Sequence, residues 1–124
     1  MLRVGIIGVG TVGASVANIL RDNKNIITAR AGKEIVVTLG VVSNLHKIRD
    51  VDIKLTDNID DVLNDDSIDV VVELMGGIDK PNEIVRKALL KGKAVVTANK
   101  ALLAYHRYEL QELAGDIPFE FEAA

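Results

Sequence analysis

Three glycines in GxGxxG spacing, Gly8, Gly10 and Gly13, follow the short apolar run Val4-Gly5-Ile6-Ile7 and open an amphipathic segment that continues through Leu20. The chemistry such a turn offers is anion binding by backbone. Gly8 takes the tight turn out of a strand, Gly10 lets backbone reach a pyrophosphate with no Cβ between them, and Gly13 lets a helix pack closely on the strand. Free N–H groups at the start of that helix, and the positive end of its dipole, favour a phosphate before any side chain is involved. Thr11 and Val12 sit inside the turn and belong with the glycines as cofactor-binding candidates. Glycine triplets also serve plain turns and bulges. The place of this one, after a strand and before a helix, points to a nucleotide.

Lys100 is the second candidate. A strand over Ala94 to Thr97 runs straight into Ala98-Asn99-Lys100, with Asn99 as N-cap of a helix from Lys100 to Ala114 that Gly115 closes. The helix dipole disfavours a lysine in the first turn by roughly 0.3–1 kcal/mol, so a lysine kept at the carboxyl edge of a sheet reads as one with a task there. That task is to meet a negative or carbonyl ligand. An ordinary surface lysine fits the same position. Thr97 and Asn99 flank it.

A third candidate turn is Met75-Gly76-Gly77, which ends the continuous apolar strand Val70 to Leu74. Such a run suits the middle of a parallel sheet covered on both faces, and glycines at its carboxyl end bring backbone close to a ligand, although a plain tight turn needs them too. Glu73, within the run, reads as a hydrogen-bonded structural carboxylate.

These turns need a frame to hold them on one edge. The first helix spans about Thr11 to Asp22, a polar stretch follows from Asn23 to Glu34, and the next strand covers Ile35 to Val42. Many dinucleotide folds end that second strand in an acid that holds the ribose 2′-hydroxyl. Here Ser43-Asn44 takes its place, with His46, Lys47 and Arg49 just beyond, so a 2′-phosphate meets bases and no repelling acid. A solvated loop with ordinary lysines is the competing reading. Asp57 to Asp69 is a charge run around a short helix, Ile59 to Leu63, and reads as a solvated face without the ligand pattern of a calcium loop. A helix from Pro81 to about Leu90 is stopped by Gly92. A last strand covers Phe119 to Glu122. The fold class is α/β, a Rossmann-type doubly wound, mostly parallel sheet with helices on both faces. Gly8, Gly76 and Lys100 then fall on its ligand-binding edge.

The 124 residues form one domain, and a hydrophobic content of 48% with few aromatics fits a core of Val, Ile, Leu and Ala. The absence of cysteine excludes disulfides and thiolate chemistry and fits a reducing, cytoplasmic setting. No apolar run approaches a membrane span, and a net charge of −3 argues against a nucleic-acid surface. His46 and His106 lack metal-ligand spacing and read as surface or capping histidines.

Taken together, Gly8 to Gly13, Arg30 to Ile35, Val72 to Gly77, Val95 to Leu103 and Phe121 to Ala124 resemble, in order, the N-terminal half of homoserine dehydrogenase. The resemblance implies nicotinamide-dependent interconversion of L-homoserine and L-aspartate 4-semialdehyde, on the branch to threonine and methionine, with NADP or NAD as cofactor. It also implies that Lys100 lies by nicotinamide and substrate as the catalytic lysine, with Thr97, Ala98 and Asn99 lining that pocket. Family members often carry Arg-Asp where this chain has Ser43-Asn44, which bears on phosphate preference. They also continue past this point into a GGIP segment and a second domain with the substrate pocket, another catalytic lysine and the homodimer interface. Residues 1–124 correspond to the nucleotide-binding domain, and by itself it is expected to be inactive. Glu122 corresponds to a glutamate at the family's monovalent-cation site, whose other ligands fall outside this chain. Two other functions remain compatible with the residues: a free-standing dinucleotide-binding regulatory module, and another amino-acid or semialdehyde dehydrogenase.

Overall fold

Short β-branched runs build the sheet expected of them, and every described strand is parallel to its neighbours. The computed structural model describes residues 2–8, 35–43, 53–97 and 99–121. In chain order the described elements are β1 (Leu2–Ile7), β2 (Ile35–Val41), β3 (Leu55–Thr56), α1 (Asp60–Leu63), β4 (Val70–Glu73), α2 (Asp79–Leu90), β5 (Ala94–Thr97), α3 (Lys100–Ala114) and β6 (Phe119–Phe121). The strands form one six-stranded sheet in the order β3-β2-β1-β4-β5-β6. β1 lies between β2 and β4, so the strand order reverses there. That reversal makes a crevice outside the carboxyl ends of the strands, where open α/β sheets bind ligands.

Alternation along the strands divides the apolar side chains between the two faces. One face carries Ile7, Val71 and Val95 against Ile84, Val85, Ala88 and Leu89 of α2 and Leu102, Leu110 and Ala114 of α3. The spacing of these helical residues, three, four or eight apart, is the apolar stripe that docks both helices on the sheet. α1 joins the same face through Val62 and Leu63. Gly5 makes room for it: a Cβ there would lie 2.6 Å from Val62 Cγ1. The other face carries Val4, Ile6 and Val42 with Val37, Val70 and Val72 packed beside them. The helix expected over residues 11–22 lies outside the described residues.

Several helix ends are set by the residues the sequence marks. α2 begins at Asp79, two residues before the Pro81 expected to open it, so the proline is in the first turn, where its missing N–H costs no helical bond. Gly92 takes a φ of +77° just past its end. Lys93 follows, buried, donating from Nζ to the carbonyls of Asp65 at 2.6 Å and Ile68 at 2.8 Å, which satisfies the loop before β4. An Arg86–Glu109 ion pair joins α2 to α3. Among the described residues, no helix is long and apolar enough to cross a membrane.

Candidate functional site

Parallel strands bring the turns after β1, β4 and β5 to the same edge, and the first two are packed against one another. Gly8 has a φ of +93°, a conformation that favours glycine, and its N–H donates to the Val41 carbonyl at 3.0 Å. A Cβ on Gly8 would lie 3.1 Å from both Leu74 C and Met75 N, so the backbone after β1 touches the peptide that opens the β4 turn. Leu74 N–H donates to the Ile7 carbonyl at 2.9 Å, extending the β1–β4 ladder into that turn. Gly77, with a φ of +92°, completes it.

The β4 and β5 turns are tied by side chains. Glu73 and Thr97 pair in register across the two strands, and both are completely buried. Thr97 Oγ1 donates to Glu73 Oε2 at 2.6 Å, and Met75 N–H donates to Glu73 Oε1 at 2.7 Å. Burial pushes the Glu73 carboxyl above the usual glutamate range, against the hydrogen bonds from Thr97, Met75 and Asn99, which favour its charged form. Asn99 does two jobs. Its Oδ1 accepts from Leu102 N–H at 3.0 Å, capping α3, while Nδ2 donates to the Met75 carbonyl at 3.1 Å and the Gly77 carbonyl at 2.8 Å. Its own N–H donates to Thr97 Oγ1 at 3.1 Å.

Of the residues the sequence singled out, Gly8, Met75, Gly76, Thr97, Asn99 and Lys100 thus stand at the carboxyl ends of β1, β4 and β5. Ser43 stands, exposed, just past β2 on the same edge. Gly76 and Lys100 are exposed, so backbone and an ammonium group face solvent beside the crevice. The side chains of Thr97 and Asn99 are turned inward and committed to other protein groups, so they shape the edge instead of presenting donors from it. Gly10, Thr11, Val12, Gly13, Asn44, His46, Lys47, Arg49, Ala98 and Glu122 lie outside the described residues. His106 is on α3, 3.4 Å from Glu109 and apart from these turns in the sequence of the fold. Among the described residues, no group of three His, Cys, Asp or Glu side chains is arranged to hold a metal ion.

The reading of Glu73 as a hydrogen-bonded structural carboxylate agrees with this geometry, but its link between two turns is not evident from the sequence. The usable signal is an acid in an apolar strand placed in register with a hydroxyl on the next. Chemically, the edge combines close-approach glycine backbone at a topological switch point, a helix N-terminus and an exposed lysine. That set suits a phosphate-bearing ligand whose far end lies by β4 and β5.

The family model for the NAD-binding domain of homoserine dehydrogenase matches residues 8–118. Homoserine dehydrogenase of Helicobacter pylori is 45% identical over 123 residues, covering 99% of this chain and 29% of that protein. The crystal structure of Staphylococcus aureus homoserine dehydrogenase at pH 7.0 superposes with a TM-score of 0.90 at 38% identity, over 98% of this chain and 32% of that one. A hyperthermophilic archaeal homoserine dehydrogenase mutant, solved in complex with NADPH, shares the fold with a TM-score of 0.75 at 23% identity, over 98% of this chain and 43% of that one. The chain spans under a third of the length of the curated relatives it matches. With Gly8 at the switch point and Lys100 at the same edge, the chain belongs to the homoserine dehydrogenase family, as its NAD-binding domain.

Proposed function

We propose that the chain holds NADP or NAD across its carboxyl edge for the interconversion of L-homoserine and L-aspartate 4-semialdehyde. The observation that carries this reading is the meeting of the β1 and β4 turns at the switch point, where a Cβ on Gly8 would press within 3.1 Å of the Leu74–Met75 peptide. The β1 turn, continuing through Gly10, Thr11, Val12 and Gly13, holds the pyrophosphate on backbone N–H groups. The adenosine ribose then lies towards Ser43 at the end of β2. No acid stands at Ser43, so a 2′-phosphate is accepted there at least as well as a free hydroxyl. The other half of the dinucleotide lies by Met75, Gly76 and Lys100. Bound there, the nicotinamide supplies the hydride chemistry.

Lys100 has its work at that end. Its ammonium attracts the substrate and donates to the carbonyl oxygen of the semialdehyde as negative charge develops on it. Thr97 and Asn99 hold the turn that presents it. The remaining substrate contacts come from residues outside this chain, as does a homodimer interface, so the 124-residue chain by itself binds cofactor without turnover. The setting proposed for it is the cytoplasm, and among its described residues no helix is long and apolar enough to cross a membrane.

The test is a spectrophotometric assay at the NADPH absorbance with aspartate semialdehyde, using the polypeptide encoded by the reading frame that contains this chain. Lys100→Ala should lower turnover by about 10²-fold, the scale of removing one preorganised donor at a developing oxyanion. An unaffected variant would make Lys100 an ordinary first-turn lysine.

A further inference from the structure

Glu73 has no part in the contacts proposed above, because its side chain is completely buried. Burying a carboxylate between strands is unfavourable unless its oxygens are hydrogen-bonded. Both are, and both bonds reach a wall of the site: Oε1 takes the Met75 N–H of the β4 turn, and Oε2 takes the Thr97 hydroxyl at the end of β5. From Thr97 Oγ1 the path continues to Asn99 N–H, and Asn99 Nδ2 returns it to the carbonyls of Met75 and Gly77. The circuit closes on itself. It joins the two turns on the β4 side of the switch point, whereas the pyrophosphate and the adenosine ribose belong to the turns after β1 and β2.

We propose that Glu73 is a positioning residue, clamping the β4 and β5 turns into one unit that sets the grip on the nicotinamide half of the dinucleotide but not on the adenosine half. This rests on the dinucleotide reading above. Gln at position 73 keeps an oxygen for Met75 N–H but presents an amide to Thr97, so the buried hydroxyl loses its acceptor. Val at position 97 removes the hydroxyl from the other side. Neither native side chain is exposed, so neither substitution deletes a direct ligand contact.

The experiment is calorimetric titration of the reading-frame protein with NADPH and with 2′-phospho-ADP-ribose, which lacks the nicotinamide. Glu73→Gln and Thr97→Val should each weaken NADPH by about tenfold, the scale of one lost bond to a charged group, with 2′-phospho-ADP-ribose unchanged. Thr97→Ser, which keeps the hydroxyl, should restore the wild-type ratio of the two affinities. A purely structural role would weaken both ligands together, and that constant ratio would overturn the proposal. If Glu73→Gln does not fold, the Thr97 pair decides. A wild-type protein that binds neither ligand would instead refute the dinucleotide reading, which separates the two failures.

Discussion

Replacing Asn99 by aspartate should destabilise the fold even though aspartate is as good a helix N-cap as asparagine. In an isolated helix the change would be neutral or helpful, since a negative charge at the N-terminus of α3 gains about 0.3–1 kcal/mol from the dipole. Here the amide nitrogen also donates to Met75 O at 3.1 Å and Gly77 O at 2.8 Å. Aspartate keeps the bond from Leu102 N–H and loses both of those, each contributing about 0.5–1.5 kcal/mol, while a carboxylate oxygen is set against two carbonyl oxygens. With the clash against the two carbonyls offsetting the dipole gain, the net loss should be about 1–3 kcal/mol. Alanine loses the same two bonds and the cap as well, about 0.5–2 kcal/mol more, with neither the dipole gain nor the carbonyl clash of aspartate. The predicted order of stability is therefore Asn, then Asp, then Ala. Urea unfolding followed by circular dichroism measures it, as midpoints falling in that order at constant slope. An Asn99→Asp protein as stable as wild type would refute the claim that the amide holds the β4 turn.

Two further outcomes follow from single positions. Gly5→Ala should cost about 1–3 kcal/mol by overpacking, because the new methyl falls 2.6 Å from Val62 Cγ1, and adding Val62→Ala should recover part of the loss; thermal unfolding of the single and double variants decides. Ser43→Asp should shift preference from NADPH towards NADH by about fivefold, the equivalent of ~1 kcal/mol for two charges about 4 Å apart in water. A ratio of affinities left unchanged would place the 2′-phosphate away from β2.

How far the sequence discloses this arrangement depends on whether a feature is local. The bounds of β5 and α3 are readable to the residue, because Asn99 and Gly115 mark the helix ends and a short β-branched run precedes them. β4 ends one residue before Leu74 and β2 one before Val42, differences set by where ladder pairing stops. β3 was not legible at all: Leu55 and Thr56 show no alternation, and they form a strand only because Gly40 and Val41 pair with them. Edge strands of that length are made by their neighbour. Lys93 gives no signal either, since a buried lysine needs carbonyls of Asp65 and Ile68, more than twenty residues away. The same holds for the site. GxGxxG, Lys100 and the glycines after β4 are local patterns, whereas the Glu73–Thr97–Asn99 circuit exists only once β4 and β5 are in register.

In the proposed function a nicotinamide dinucleotide lies on the carboxyl edge with its pyrophosphate on the glycine turn. Calorimetric titration of the wild-type protein and its Gly10→Val variant with NADPH and NADH tests it most directly, because a valine side chain stands where backbone must approach the phosphates. Wild type should bind saturably, and the variant should show no measurable binding. Equal affinity in the two proteins would contradict it.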